Sequence, residues 1–486
     1  VSVDAASHWV IRSDGNDGNG ALFADLDPGT SIDYSNQASP QLGPLNDIAT
    51  DGAGTGISSV TGGFTAAMVG NGIFLTGGGV TEDYYQITVY TDTNNITIDR
   101  SAGASKSGVT GRVGGAVLTV QDSLFEKGVA GNTFYIKKAG SAYAIPATVY
   151  ISKAGTSALP ITIEGFDTTL GDNPSGDDRP QIDTGVNYFR NLGIHWVRKN
   201  LRFTGSNSSF VCNAGSYGVT KNCEFINTGA TAGAYALSLS SFNHVEDCDI
   251  RNPKGRGLAY SGGCSIVRTY IHDCDTYGVL LNATNGNFIK CTFDSCGYGI
   301  FLNSQYGMSV EQCTFYNNGV GIELLNGYLN KVWNNQFKNN TVGAHGNSLF
   351  KSNDFNYNNW HGNDADTTNV DKGDDPTADD PGFAGFISGT DLVCSDHTGP
   401  TYTVTSATGD FDSEMVGKSI TVLDTGDGGH FVVGNYMVVT YVSATEIELA
   451  TDPTDGNNDV GGDWESCYDF SGVDNPNGFG MRLAVG

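Results

Sequence analysis

The chain has 486 residues, 38% hydrophobic and only 16% charged, enough to bury a large core and too apolar for intrinsic disorder. Sixty-seven glycines without a Gly-X-Y period exclude collagen and, with abundant Asn, Ser and Thr, indicate many short strands joined by tight turns. A formal charge of −28, unbroken by any Lys/Arg cluster, disfavours nucleic acid and a phosphate-bearing membrane surface as partners; it also weighs against an acidic polysaccharide unless Ca²⁺ or a local basic groove intervenes. No membrane span is expected, since no stretch approaches about 18 consecutive apolar residues. The start, Val1-Ser2-Val3-Asp4, lacks the charged and apolar regions of a secretory leader.

Residues 1–44 read as an N-terminal strand and arm, with Trp9-Val10-Ile11-Arg12-Ser13 leading into the turn Asp14-Gly15-Asn16-Asp17-Gly18-Asn19-Gly20. That turn is rich in oxygen, which makes Asp14, Asn16 and Asp17 candidate Ca²⁺ ligands, although Asx-turn chemistry alone selects the same residues. Residues 45–117 form a small β module whose pattern returns at 398–452. Phe64, Met68-Val69-Gly70, Ile73, Tyr85, Ile87, Tyr90, Ile96 and Ile98 reappear as Phe411, Met415-Val416-Gly417, Ile420, Tyr436, Val438, Tyr441, Ile447 and Leu449, with one loop four residues longer. Alternating strands between Gly-rich turns predict an antiparallel β-barrel or sandwich in both copies. Such appendages either cap a solenoid, whose open strand edges invite aggregation, or bind neighbouring subunits or glycans.

Residues 118–397 carry a repeat. Anchors Phe203, Phe225, Ile250, Ile271, Phe293, Phe315, Phe337 and Phe355 are separated by 22, 25, 21, 22, 22, 22 and 18 residues. Glycines at 257, 278, 299, 321 and 343 form a second column, and Val245, Val267, Ile289, Val310, Val332 and Phe350 a third. Three short strands per coil follow. In Cys291-Thr292-Phe293 the first and third side chains share the inner face and the polar middle one points out, so eight of the ten cysteines, Cys212 to Cys313, are buried thiols. Coils about 4.8 Å apart stack like residues, which places Asn227, Asn317 and Asn339 to bond their amides up a turn. After the last coil, Asn363 to Asp380 holds seven aspartates, a solvated linker or a Ca²⁺ site, and 453–486 is a C-terminal tail.

This pattern resembles the right-handed parallel β-helix, or pectate-lyase-like, superfamily shared by polysaccharide lyases, some glycosidases and phage tailspikes, and is nearest to tailspike and virion-associated members. The resemblance covers about half the chain. The segments at 147–151, 160–166 and 179–182 look like the family's entry coils, in which Ile163 and Ile182 extend the anchor column irregularly, and 9–17 looks like its opening strand and turn. The fold class expected is all-β: a right-handed parallel β-helix with a small antiparallel module at each end.

The chemistry such a rod needs is sparse here. The carboxylate, Gly-His-Gly and Arg-x-Lys set of galacturonase-like enzymes is absent, and His345 has no carboxylate partner nearby in sequence. Arg251-Asn252-Pro253-Lys254-Gly255-Arg256 resembles the Arg-x-Pro-x-x-Arg core of pectate lyases, which implies Arg251 or Arg256 as a base; the family's glycine is displaced by one residue and its Trp-x-Asp-His element is missing. Tyr277, Tyr298, Tyr306 and Tyr328 lie near coil turns, where exposed rings can stack on sugars. The leading expectation is a non-catalytic structural protein of an extracellular or viral assembly, homo-oligomeric or joined to other subunits, with a glycan-binding surface and no cofactor. The alternatives are a carbohydrate-binding adhesin and a polysaccharide lyase or glycoside hydrolase.

Overall fold

The computed structural model describes residues 7–23, 39–281, 285–302, 307–325, 330–346 and 354–368, and further on 388–394, 401–407, 411, 419–422, 430–432, 434–454 and 459–467. The chain divides into two compact units, Val1–Thr377 and Ala378–Gly486.

The first unit is a right-handed parallel β-helix. Each coil contributes one strand to each of three sheets. Sheet 1 runs from His8–Ile11 through Thr133–Lys137, Ile161–Phe166 and Trp196–Lys199 to Asp354–Asn356, with Leu22–Phe23 antiparallel at its start. Sheet 2 runs from Tyr143–Ala144 to Asn359–His361, and sheet 3 from Val149–Ile151 to Ala365–Thr368. Apolar residues turned inward line a single lumen.

The anchor column is the spine of sheet 2. Phe203, Phe225, Ile250, Ile271, Phe293, Phe315 and Phe337 pair in register, extended upstream by Ile182 and Tyr143. Rings of successive coils lie nearly parallel, 4.8 Å apart from Phe293 to Phe315 and from Phe315 to Phe337. Three assignments read from sequence need correction. The last anchor is Trp360, stacked 4.3 Å from Phe337, whereas Phe355 pairs with Val332 in sheet 1. Ile163 also belongs to sheet 1, between Phe134 and Arg198. The third column is Val245, Ile266, Phe288, Val310, Val332 and Phe355. In Ser265-Ile266-Val267 two adjacent apolar residues compete for the inner face, and a one-residue slip exchanges them; Phe350 lies outside the described residues.

The glycine column has a steric cause. A Cβ on Gly278 would meet the carbonyl oxygen of Gly299 at 2.7 Å, and one on Gly299 would meet that of Gly321 at 2.6 Å, because each glycine lies against the backbone of the next coil. The turn leaving sheet 1 imposes a left-handed residue on eight successive coils: Asn200, Asn222, Asp247, Arg268, Lys290, Gln312, Asn334 and Tyr357. Asn and Asp tolerate that conformation; for Arg, Lys and Tyr the solenoid overrides local preference.

Asn317 and Asn339 likewise occupy left-handed turn positions, φ 53° and 54°, so the amide ladder runs one residue later. Asn318 donates to Asn340 and Asn340 to Asn363, each at 3.0 Å, and Asn335 donates to Asn358 at 3.1 Å. Cysteine and asparagine alternate in the same columns because either can accept a backbone N–H from the neighbouring coil. Cys313 N–H donates to Asn335 Oδ1 at 2.8 Å, and Cys291 N–H to Cys313 Sγ at 3.4 Å. Asn227 instead donates to the carbonyls of Asn207 and Tyr235. The eight cysteines of the rod, Cys212 to Cys313, are buried thiols outside any disulfide.

A six-stranded closed barrel is inserted between Leu22–Phe23 and the strand Thr133–Lys137. Its strands Leu42–Thr50, Gly56–Ser58, Gly72–Gly77, Asp83–Asp92, Asn95–Ile98 and Val109–Val113 are ordered first, second, fifth, fourth, third, sixth. Backbone bonds from Arg12, Asn16 and Gly20 to Val117, Ala116 and Gly114 tie the exit of the barrel to its entry. A single helical turn, Asp122–Phe125, follows, and Phe125 packs against Phe134, Phe189 and Trp196 in the first coils.

The second unit holds a closed barrel of the same strand order: Ser388–Cys394, Tyr402–Thr405, Ser419–Val422, Gly434–Ser443, Glu446–Leu449 and Asp459–Cys467. Pairings repeat as well. Ile73 faces Tyr85 and Ile87 faces Ile98; Ile420 faces Tyr436 and Val438 faces Leu449. Tyr85 and Tyr436 each donate their hydroxyl to the carbonyl four residues earlier, at 2.6 Å. The outer strands Ser388–Cys394 and Asp459–Cys467 lie beyond the span 398–452, since they repeat an alternation and not residue types; Met415-Val416-Gly417 and residues 369–387 are outside the described residues.

Candidate functional site

Five-residue strands of sheet 3 such as Tyr235–Leu239 and Tyr298–Leu302 turn their first and fourth residues outward and the others inward. The first-position column is Phe210, Tyr235, Arg256, Tyr277, Tyr298, Val320 and Val342. Rings outside this column adjoin it on the preceding coils: Tyr188, just before the strand Phe189–Asn191, lies 4.8 Å from Phe210, and Tyr150, in register with Arg190 of the fourth-position column, lies 5.8 Å from Tyr188. Downstream, Tyr277 lies 5.3 Å from Tyr298 and 4.6 Å from Phe301. Arg256 bridges the two halves: its guanidinium carbon lies 5.3 Å from the Tyr235 ring and 5.2 Å from the Tyr277 ring, and it donates to the Tyr235 hydroxyl at 2.7 Å. The track crosses seven strands of sheet 3, a length of about 29 Å at the usual strand spacing.

The same face ends in a polar pair. In the fourth-position column Phe301 is followed by Glu323 and then His345. His345 Nδ1 lies 2.6 Å from Glu323 Oε2, with Glu323 almost fully buried and the imidazole 38% exposed. The carboxylate missing near His345 in sequence therefore comes from one coil earlier.

Tyr277 and Tyr298 are brought together on this face, whereas Tyr306 and Tyr328 lie outside the described residues. Arg251 and Arg256 are not brought together. Arg256 belongs to sheet 3, while Arg251 lies on the sheet 2 strand Asp249–Asn252 with Glu224 at 3.9 Å. Asp14 is held bidentately by Arg12, at 2.8 and 2.9 Å; Asn16 Oδ1 accepts from Gly18 and Arg112; Asp17 accepts from the backbone of Leu118 and Thr119 and the Thr119 hydroxyl. These oxygens brace the barrel's entry loop. No group of three or more His, Cys, Asp or Glu side chains converges as a metal site among the described residues.

Sheet 2 carries a second polar face, bordered by an open groove of about 450 Å³ lined by Ile226, Thr228, Arg251, Pro253, Asp273, Asp275 and Ser295. Burial raises the Glu224 carboxyl above its ordinary pKa, against the pull of Arg202 at 3.0 Å. His272 bonds Asp249 through Nε2 at 3.0 Å and Asp273 through Nδ1 at 2.9 Å, and stacks on Tyr270 at 4.1 Å. Burial disfavours its charged form, but hydrogen bonds and attraction from Asp249 and then Asp273 prevail and raise its pKa. Both ring nitrogens face carboxylate oxygens, an arrangement that favours the doubly protonated ring over the neutral one. A raised folded pKa contributes stability that is complete below the unfolded value of about 6.5 and is lost as pH rises through the folded value. Wild type should therefore exceed His272→Gln by ~1 kcal/mol at acidic pH and lose that margin under alkaline conditions, as read by denaturant unfolding. A margin independent of pH would contradict this role.

Residues 210–363 match the family model described as the right-handed β-helix region. No curated protein matches the chain by sequence. Among known structures, a mannuronic-acid-specific polysaccharide family 6 lyase from human gut microbiota aligns at 13% identity over 51% of this chain and 74% of its own, with a TM-score of 0.38. An alginate lyase from Paenibacillus sp. str. FPU-7 aligns at 12% identity over 51% and 95%, TM-score 0.38. Tailspike protein 2 from Escherichia coli O157:H7 bacteriophage CAB120 aligns at 11% over 79% and 67%, TM-score 0.33. At these identities the likeness is one of fold. No helix among the described residues is long and apolar enough to cross a membrane.

Proposed function

We propose that the chain is a non-catalytic structural component of an extracellular or viral assembly that holds a carbohydrate along the outer face of sheet 3. The observation that carries this reading is the succession of outward rings on seven strands of sheet 3: one contact group from Tyr150 to Phe210, and a second from Tyr235 to Phe301 in which the Arg256 guanidinium lies between Tyr235 and Tyr277. Rings offer flat apolar faces to sugar C–H groups, and guanidinium and phenol groups offer donors to hydroxyls. β-ladders on either side keep the platform rigid, so little ordering entropy opposes binding. The −28 charge favours a neutral glycan, or one that places a carboxylate at Arg256.

Affinity electrophoresis through a panel of neutral and acidic polysaccharides tests it. Wild type should be retarded by at least one of them, and the double variant Tyr277→Ala/Tyr298→Ala should bind at least about tenfold more weakly with an unchanged circular dichroism spectrum. Equal retardation of the two proteins would contradict the assignment. The assembly part of the reading predicts defined symmetric homo-oligomers, or decoration of a particle, in electron micrographs. A strictly monomeric protein that binds glycan supports the adhesin instead.

A second reading, a polysaccharide-degrading enzyme, draws on the pair that terminates the track. Glu323 orients His345 through Nδ1, leaving Nε2 with no partner among the described residues and able to act as a general base. Release of reducing ends from the same panel, abolished in His345→Gln while binding persists, would favour it.

A further inference from the structure

Arg198 is the only arginine buried among the described residues. It lies on Trp196–Lys199, paired in register with Ile163 on one side and Thr220 on the other, in a column that continues inward-facing to Val245. Its exposure is 0%, and Nε, Nη1 and Nη2 all lack a hydrogen-bond partner. Other side chains in the lumen do not compensate. Among the described residues the only ionisable groups that act on it are the thiols of Cys212 and Cys223, and no carboxylate does. Burial pushes Cys212 up to about 12 and Cys223 to about 11, and the Cys223 thiol already donates to the Lys221 carbonyl at 3.3 Å. Both are neutral at physiological pH. An unpaired cation in an apolar lumen is among the most costly arrangements a fold can hold, and the usual remedy is an anion beside it.

We infer that Arg198 and Thr220 form an internal site for a small monovalent anion of the halide class. Thr220 is the next rung of the same column, and its buried hydroxyl has no partner either. Asn191, fully buried at the end of the preceding sheet 3 strand Phe189–Asn191, likewise has an amide without a partner. The guanidinium fork and the hydroxyl are donors that need an acceptor, and one negative charge neutralises one arginine. A spherical ion suits this set better than phosphate or sulfate, whose several charged oxygens would need more donors than these residues supply. The anion is a structural element of the rod and owes nothing to the carbohydrate face of sheet 3.

The test compares wild type with Arg198→Met in sodium bromide, sodium chloride and sodium gluconate at equal ionic strength. The thermal midpoint of wild type should rise by about 1–2 °C per tenfold increase in bromide or chloride and stay flat in gluconate, while that of Arg198→Met stays flat in all three. Crystals of wild type grown in bromide should show an anomalous-scattering peak beside the guanidinium, a readout that stands even if the variant does not fold. Halide independence of wild type together with a missing peak would overturn the site. So would thiolate absorbance from Cys212 or Cys223 at neutral pH, since the countercharge would then be covalent.

Discussion

Phe315→Ala lowers the stability of the β-helix by about 3–5 kcal/mol, the range for removing a fully buried aromatic ring that the surroundings cannot collapse to fill. Phe315 is 0% exposed and lies in a stack whose neighbours Phe293 and Phe337 are each 4.8 Å away and tilted by 6°. Backbone ladders on three sheets fix the separation of coils, so Phe293 and Phe337 cannot close the gap. A further consequence follows from solenoid architecture, in which each coil is stabilised only by its neighbours. The loss therefore falls on the interfaces of one coil with the two beside it. Denaturant unfolding followed by circular dichroism should show the midpoint fall, and Phe315→Leu should recover more than half of it. A loss below about 1 kcal/mol would mean that the stack packs without contributing.

Arg198→Met moves stability in the opposite direction, by about 1–4 kcal/mol in halide-free buffer. Methionine fills a similar volume with a flexible apolar chain, while the guanidinium it replaces is fully buried and has no partner for any of its three nitrogens. Few substitutions of a core residue are expected to stabilise, which makes the sign itself diagnostic. The same unfolding measurement serves, and a destabilised Arg198→Met would show that the guanidinium's packing outweighs its missing partners.

The coil period was legible because the anchor strands place a large apolar residue inward at each turn, and identical rung partners repeat at nearly constant spacing. Legibility failed where two neighbours were chemically equivalent. In Asn317-Asn318 and Asn339-Asn340 either amide could have stacked, and only the left-handed turn selects the second of each pair. At the last coil Trp360 takes the role of phenylalanine after a 23-residue step from Phe337, so the nearer Phe355 looked like the anchor. The candidate face shows a similar division. Tyr277 and Tyr298 open identical Tyr-Gly strands and stood out, whereas Tyr150, Tyr188, Phe210 and Arg256 meet the track from coils with little sequence in common. Glu323 with His345 and Asp249 with His272 escaped notice because their partners are 22 and 23 residues apart, one coil and not one turn of chain. That spacing is the signal by which paired side chains on a solenoid can be sought.

Calorimetric titration of the intact chain with oligosaccharides of increasing length, cut from whichever polysaccharide retards it, tests the glycan-binding face most directly. Affinity should climb with each added sugar until the ligand spans the track of about 29 Å and then level off, and the climb should stop short in Arg256→Ala, where the run of stacking groups is interrupted midway. Affinity that does not depend on length, or that is the same in Arg256→Ala, would contradict a carbohydrate track on sheet 3.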